Sequence, residues 1–375
     1  MADNLHLTDV VKDIRYLVDK YNKKVKTTKL SKSTSQQLFL DFVMIYSMLD
    51  LYNINDVDLQ MVRPYSYFEN FLPAKAKSNL EQLREVSEPA IQAYKDAGYF
   101  FENTQSEQQF STFDSQVIIQ DFMEECFPHS IDFMDYLYDH QCLLVNQALV
   151  RSASAHGLSF MFPTIDEYRM FIDDGDLSTI GAMSTFVHEF MHLYTSKELY
   201  SQNKKRYYNY KTGYCLETPT IFIELCLYEF LKNTGIDEIE CAKNLNAMDY
   251  TCLESFKDIV FLSEMQRRGH TINWKEQPIT IQGKIEDCEI DRGIPWFEYE
   301  KGLTGIDNGC LEFSAGVLKA YQMFEQVLAG EHPEKVLFEF FKSLDKDLRV
   351  KDVVPDNYNY NFLKEEVQRR VKLLK

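Results

Sequence analysis

Residues 188–192 read His-Glu-Phe-Met-His, so that two histidines stand four positions apart with a glutamate beside the first. On an α-helix, residues four apart lie one above the other on the same face. Both imidazoles can therefore face one metal ion, with Glu189 next to them as a base, which is half of a zinc-hydrolase site. The alternative is a solvated helix face that happens to carry these side chains. Histidine is scarce here, at eight residues in the chain, and this favours the metal site.

The neighbouring sequence predicts the helix that this spacing requires. Ser178 and Thr179 offer side-chain oxygens that can cap its start. No proline interrupts the segment before Tyr200. Apolar residues recur at the three- and four-residue steps of a helix, namely at Ile180, Met183, Val187, Met191 and Tyr194. The histidines lie next to this stripe, where a pair of ligands would be partly buried.

A zinc site needs a third protein ligand, and Glu217, 25 positions after His192, is the candidate. Pro219 is tolerated only in the first turn of a helix, so the apolar run of residues 220–231 predicts a helix that begins close to Glu217. A carboxylate there suits the helix dipole. Glu217 could instead be a simple capping acid, and Cys215 could be an alternative ligand.

Two imidazoles and one carboxylate leave a fourth metal position for water. A zinc ion lowers the pKa of bound water from 15.7 to about 7 and polarises a carbonyl group. Glu189 would take the proton of that water and pass it to the leaving amine. The pattern therefore predicts zinc-dependent hydrolysis of an amide, and the expected substrate is a peptide bond.

From about residue 151 to its C terminus, the chain resembles the catalytic half of oligoendopeptidase F and its thimet-oligopeptidase-like relatives, with a shortened N-terminal half. Residues 168–173 are similar to the short strand that precedes the motif helix in that family. Glu217 and Glu224 keep the family's seven-residue step between two glutamates. Residues 313–316 resemble the start of the helices that close the catalytic half.

The resemblance implies a zinc-dependent endopeptidase that hydrolyses oligopeptides. It implies that His188, His192 and Glu217 bind zinc, that Glu189 is the base, and that Glu224 orients a ligand histidine. Relatives carry a histidine and a pair of tyrosines just before the glycine matched to Gly316, where they hold the developing oxyanion. Residues 306–313 contain neither residue type. The candidate donors that remain are Tyr299, Tyr214 and His270.

Composition indicates a globular, mainly helical protein. The chain has 375 residues, 45% of them hydrophobic, with only 14 Gly and 10 Pro to punctuate strands. A net charge of −18 argues against nucleic-acid binding. No apolar run approaches the roughly 18 residues of a membrane span, and the N terminus lacks a secretory signal pattern. Eight scattered cysteines without close pairs favour reduced thiols and a cytoplasmic location. The oligomeric state is left open.

The expected fold is mainly α, and the resemblance implies a zincin-type helical metallopeptidase with a small antiparallel β-sheet beside the active-site helix. We expect a helical N-terminal lobe over residues 1–110 and a zinc metallopeptidase catalytic domain over residues 111–375. The helical periodicity predicts, among others, helices near residues 74–98, 115–127, 131–152 and 360–375. Strands are expected at residues 158–162 and 168–173, and a hairpin or flap near residues 279–285.

Two other functions compete with a general peptidase. The missing tyrosines and histidine would suit a non-catalytic, zinc-containing protein that binds peptides. The short chain would suit a regulatory protease dedicated to one partner protein. Turnover of generic peptides separates both from the main prediction.

Overall fold

The computed structural model describes residues 7–28, most of 38–49, 71–101, 108–140, 142–144, 157–172, 177–212, 214–267, 283–285, 288–290, 309–346 and 349–375. Helices dominate this part of the chain. They are α1 (Leu7–Thr27), α2 (Phe71–Asp96), α3 (Thr112–Cys126), α4 (Ile131–Asp139), α5 (Ile180–Gln202), α6 (Lys204–Thr212), α7 (Thr218–Asn233), α8 (Glu238–Arg267), α9 (Gly309–Leu328), α10 (Pro333–Ser343), α11 (Val350–Val353) and α12 (Tyr360–Leu374). The strands are β1 (Leu143–Leu144), β2 (Gly157–Phe162), β3 (Glu167–Ile172), β4 (Gly283–Ile285) and β5 (Cys288–Ile290).

Two compact units divide the chain, and each draws on two segments. The first unit contains Met1–Phe68 and Glu107–Lys204, and the second contains Glu69–Ser106 and Lys205–Lys375. The chain passes from the second unit to the first between Ser106 and Glu107, close to the expected boundary at residue 110. The assignment of residues 1–110 to a lobe and 111–375 to a catalytic domain stays a prediction.

The first unit contains the small sheet that the sequence predicts. Its strand order is β1-β3-β2, and β2 pairs antiparallel with β3 from Gly157 opposite Ile172 to Phe162 opposite Glu167. The short strand β1 runs parallel to β3, which differs from the purely antiparallel expectation. The strand that precedes the motif helix, β3, is thus the centre of the sheet, and all but its first residue are buried.

The helix expected over residues 131–152 ends early. The helix α4 stops at Asp139, and β1 begins four residues later. Residues 142–145 form a short apolar run, and periodicity cannot distinguish a buried strand from a buried helix in such a run. Pairing with β3 decides the matter, since the Met170 amide donates to the Cys142 carbonyl at 2.9 Å.

Both long strands of the sheet pack against α5. On β3, Arg169 is held by α1, because its Nε donates to Asp13 Oδ2 at 2.8 Å. Tyr16 on the same helix donates to Glu167 Oε1 at 2.7 Å. These charged contacts fix the strand that supports the motif helix.

In the second unit, α2, α7, α8, α9 and α12 pack around a buried charge pair. Arg370 donates from Nε and Nη2 to the Asp249 carboxylate, with both distances 2.9 Å. The hydroxyls of Tyr321 and Tyr94 donate to Asp249 at 2.9 and 3.1 Å. Four donated hydrogen bonds offset the cost of burying this carboxylate. No helix in the described part of the chain combines the length and apolar character needed to cross a bilayer.

Candidate metal centre

The helix α5 carries the motif, and it begins as the sequence predicts. Thr179 is its N-cap, and its side-chain oxygen accepts a hydrogen bond from the Ala182 amide at 3.1 Å. The five apolar residues of the predicted stripe are each at most 2% exposed. The prediction of a motif helix with a buried apolar stripe is therefore confirmed, and the helix is buried beyond that stripe, at Ser184, Glu189, His192, Thr195 and Ser196 as well.

The two histidines lie one turn apart on α5, as their spacing requires. Their ring centroids are 5.0 Å apart, and the ring planes are nearly perpendicular at 78°. His192 is only 9% exposed, whereas His188 is half-buried. One imidazole is thus enclosed by the protein, and the other lies closer to the surface.

Glu189 is 8% exposed and lies against the first residue of β2. A methyl group added to Gly157 would come within 2.7 Å of Glu189 Cγ and 3.1 Å of its Oε1. It would also come within 2.7 Å of Thr185 Cγ2. The absence of a side chain at Gly157 therefore makes room for Glu189 between α5 and the sheet.

Glu217 stands immediately before α7, where Pro219 in the first turn places it. It occupies the N-cap position with helical backbone angles, but its side chain makes no capping hydrogen bond. The simple capping acid considered from the sequence is therefore excluded. One carboxylate oxygen, Oε2, instead lies 3.1 Å from the hydroxyl of buried Thr220. That contact constrains the carboxylate while its other oxygen can serve as a ligand atom.

The helix α9 supports the start of α7. A Cβ placed on Gly316 would lie 3.6 Å from Glu217 Cβ and 3.4 Å from the Thr218 amide nitrogen. The Thr218 hydroxyl donates to the Gly316 carbonyl at 3.3 Å. Gly316 therefore lets the backbones of the two helices approach closely beside Glu217.

One ligand atom each from His188, His192 and Glu217 lie within 4.8 Å of one another. This is the one group of three or more potential metal-ligating side chains found among the described residues. Cys215 does not belong to it, although that thiol lies in the same loop as Glu217 and is fully buried.

The donor set fits zinc. Two imidazole nitrogens and a carboxylate oxygen are a common ligand set for catalytic zinc. Bond lengths of about 2.0–2.2 Å place the ligand atoms of a tetrahedral zinc site about 3.4 Å apart. Small side-chain rotations bring ligand atoms that lie within 4.8 Å to that separation. Two of the three side chains are at most 9% exposed, so an ion held there would be largely shielded from solvent.

The other predicted site residues that the structure describes, Glu224 and Tyr214, do not belong to this group of ligands. Glu224 is half-buried on α7, close enough to Cys252 for its charge to help raise the pKa of that thiol, after burial and Asp249. Its role in orienting a histidine stays a prediction. Tyr214 is 4% exposed. Tyr299 and His270 lie outside the described residues.

Sequence reasoning missed the supporting residues Gly157, Thr220 and Gly316 as parts of the site. A threonine three positions after Glu217 is a local signal that could have been used, since the two side chains lie on one helical turn. The two glycines gave no such signal, because only the packing of distant elements shows that a side chain is excluded at Gly157 and which residues surround Gly316.

Comparison of this chain with protein-family models, curated protein sequences and solved structures finds no match.

Proposed function

We propose that this chain is a zinc-dependent metallopeptidase acting on oligopeptides, of the zincin type found in oligoendopeptidase F and its relatives. The observation that carries the proposal is the grouping of His188, His192 and Glu217 ligand atoms within 4.8 Å. Glu189, adjacent in sequence to the first ligand, supplies a carboxylate of the kind that acts as base in such sites. Six cysteines, at positions 126, 142, 215, 226, 241 and 252, are free and buried, which supports a cytoplasmic location.

In this proposal His188, His192 and Glu217 hold the zinc ion. When bound, zinc supplies a Lewis acid that polarises the substrate carbonyl and acidifies water. Glu189 accepts the proton of the attacking water and delivers it to the nitrogen of the leaving amine. The contact with Gly157 keeps the Glu189 carboxylate from swinging towards the sheet. Thr220 holds one oxygen of Glu217 and limits how that ligand can rotate.

A sheet edge beside Glu189 provides a place for the substrate backbone. Within the part of the chain that the structure describes, β2 pairs with β3 alone, and no described strand lies along its other edge. An extended peptide can add to such an edge through backbone hydrogen bonds, which tolerate many sequences. The strand β3 cannot serve in this way because β1 and β2 flank it. The proposed substrate position is therefore along β2, whose Gly157 touches the base.

The test is metal analysis combined with digestion of a mixed peptide library by wild type and by Glu189→Gln. We expect about one zinc ion per chain in both proteins, and a loss of roughly 10²–10⁴-fold in turnover for Glu189→Gln. A matched control is Glu198→Gln on the same helix, whose carboxylate accepts a hydrogen bond from Gln202 at 2.8 Å. This control should cleave like wild type.

The same experiment separates the rival functions. A non-catalytic peptide-binding protein would contain zinc and bind peptides but cleave none, and Glu189→Gln would change nothing. A protease dedicated to one partner would ignore the library and yet lose cleavage of that partner on Glu189→Gln. Absence of stoichiometric zinc after purification and zinc addition would refute all three versions.

A further inference from the structure

The hydroxyl of Thr220 contacts the carboxylate of the proposed metal ligand Glu217. The Thr220 side chain is fully buried, and its oxygen lies 3.1 Å from Glu217 Oε2 and 3.0 Å from the Glu217 carbonyl oxygen. Both distances are at the long end for O–H···O hydrogen bonds, as expected when one hydroxyl proton is shared between two acceptors. The two acceptors therefore compete for a single donor.

The carboxylate is the stronger of these acceptors. A carboxylate that binds a metal is ionised, and a hydrogen bond to a charged oxygen is roughly twice as strong as one between neutral groups. The Glu217 carbonyl, in addition, already accepts a hydrogen bond from the Ile221 amide at 3.0 Å. The Thr220 proton is thus directed mainly at Glu217 Oε2. This makes the two carboxylate oxygens unequal, because the proton draws on the lone-pair density that Oε2 would offer to a metal.

The main chain on both sides of Glu217 is held by further hydrogen bonds. The Tyr210 hydroxyl donates to the Leu216 carbonyl at 3.1 Å. The Thr218 amide donates to the Cys215 carbonyl, also at 3.1 Å. With the backbone fixed in this way, any change in how the carboxylate meets an ion must come from rotation of the Glu217 side chain itself.

Such a rotation is unfavourable because of Thr220. It would leave a fully buried hydroxyl without its charged acceptor, and a buried polar group that loses its partner destabilises the protein. Glu217 is accordingly set to offer one oxygen rather than two. Together with one nitrogen from each histidine, this gives three protein ligand atoms and leaves one position for water in a tetrahedral site.

The number of carboxylate oxygens on the ion decides which metals suit the site. A second oxygen from Glu217 would occupy the additional position that a substrate carbonyl needs in a zinc peptidase. Zinc is content with four ligands of mixed nitrogen and oxygen type. Manganese and calcium favour about six or more ligands, mainly oxygens, and gain from a carboxylate that binds through both of its oxygens.

We propose that Thr220 keeps Glu217 a one-oxygen ligand and thereby makes the site selective for zinc over cations that require more oxygen ligands. The inference rests on the proposed zinc peptidase function and adds the reason why the ion is zinc. Thr220 is a positioning residue in this proposal, since it acts through Glu217. A threonine that served only the start of α7, through the Glu217 carbonyl, would affect stability alone.

The test compares wild type with Thr220→Val, which removes the hydroxyl and keeps the shape of the side chain, and with Thr220→Ser, which keeps the hydroxyl. The control Thr234→Val removes a hydroxyl that donates to the Leu231 carbonyl at 2.9 Å, at the other end of α7. Zinc and manganese dissociation constants are measured on the full chain by chelator competition. The visible absorption of the cobalt-loaded proteins is also recorded, because four-coordinate cobalt absorbs far more strongly than five- or six-coordinate cobalt.

We expect wild type to show the intense cobalt bands of a four-coordinate site. Thr220→Val should bind zinc about 10–100-fold more weakly, which is the usual effect of removing a hydrogen-bond partner from a metal ligand. Its manganese affinity should stay the same or rise, and its cobalt bands should weaken. Thr220→Ser and Thr234→Val should keep the wild-type spectrum and the wild-type ratio of zinc to manganese affinity. Thr220→Ala, with the same expectations, replaces Thr220→Val if the latter does not fold.

Weak cobalt bands in wild type would overturn the proposal without any variant. So would a Thr220→Val protein that keeps the intense bands and loses zinc and manganese affinity in equal proportion, because a merely structural residue affects every ion alike. A chain that binds neither zinc nor cobalt would refute the metal site and this proposal together. A zinc-loaded chain that cleaves no peptide would refute the peptidase function alone, since the spectra and affinities are read without turnover.

Discussion

Replacing Gly157 by alanine tests whether the sheet positions the base. The added methyl would lie 2.7 Å from both Glu189 Cγ and Thr185 Cγ2. Carbon atoms prefer separations of about 3.5–4.0 Å, so one or both side chains must move by about 1 Å. Thr185 resists, because its hydroxyl donates to the Gly181 carbonyl at 3.0 Å and its β-branched side chain is stiff. Glu189 is more flexible and is expected to take most of the shift.

The effect on rate should therefore exceed the effect on stability. Overpacking lowers the free energy of unfolding by about 1–3 kcal/mol. Exchanging glycine for alanine inside a strand raises it by about 0.5–1 kcal/mol. The net loss in the free energy of unfolding is then about 0–2.5 kcal/mol. A displacement of a catalytic group by about 1 Å can lower the rate roughly 10²-fold. Zinc content should stay at the wild-type level, because the three atoms nearest to the added methyl belong to Glu189 and Thr185 and not to a proposed ligand.

Peptide turnover, zinc stoichiometry and urea unfolding are measured together for Gly157→Ala and for the control Gly316→Ala. A methyl on Gly316 meets nothing closer than 3.4 Å, an ordinary contact, and it should raise helix stability slightly with near wild-type turnover. The double variant Gly157→Ala with Thr185→Ser removes one of the two clashes and should regain stability. Wild-type turnover in Gly157→Ala would show that the sheet does not constrain the base, and the reasoning would be wrong.

Three further predictions concern the metal, the core and pH. Glu217→Ala should lose most of its zinc under dialysis that leaves wild type loaded, as elemental analysis would show; retained zinc would exclude Glu217 as a ligand. Arg370→Met leaves the Asp249 carboxylate buried without its cation and should lower the free energy of unfolding by about 3–5 kcal/mol; a change under 1 kcal/mol in urea unfolding would contradict the buried pair. Burial raises the pKa of Asp41 from 3.8 to about 8, with hydrogen bonds from Thr164 opposing the shift. The folded protein therefore holds a proton that the unfolded chain releases, and stability should fall as pH rises from about 4 to about 8, by up to about 1.4 kcal/mol per pH unit. Asp41→Asn should flatten this slope in urea titrations across that range, and an unchanged slope would place the responsible group elsewhere.

The motif helix could be predicted from local sequence alone. Its cap at Thr179, its apolar stripe and the one-turn spacing of the histidines all follow from residues within a few positions of one another. Pro219 likewise places Glu217 at a helix start, since proline can occupy only the first turn. Local periodicity also suffices for α12 and for the two strands of the β2–β3 pair.

Local sequence was insufficient where a short apolar run is compatible with both a helix and a strand. The apolar run of residues 142–145 suited a helix as well as a strand, and only pairing with strand β3 decided between them. The same partner placed β3 in the centre of the sheet, so that the edge suited to a peptide is β2. Periodicity describes which residues are buried on an element, but it does not say which other element covers them.

For this protein, residue types and spacing were enough to nominate His188, Glu189, His192 and Glu217, because metal chemistry restricts both the ligand types and their helical separation. Folding supplied what spacing could not: that Glu217 approaches the imidazoles, and that Gly157 makes room for Glu189. Each of these depends on segments far apart in the chain, and no short-range pattern encodes the distance between them.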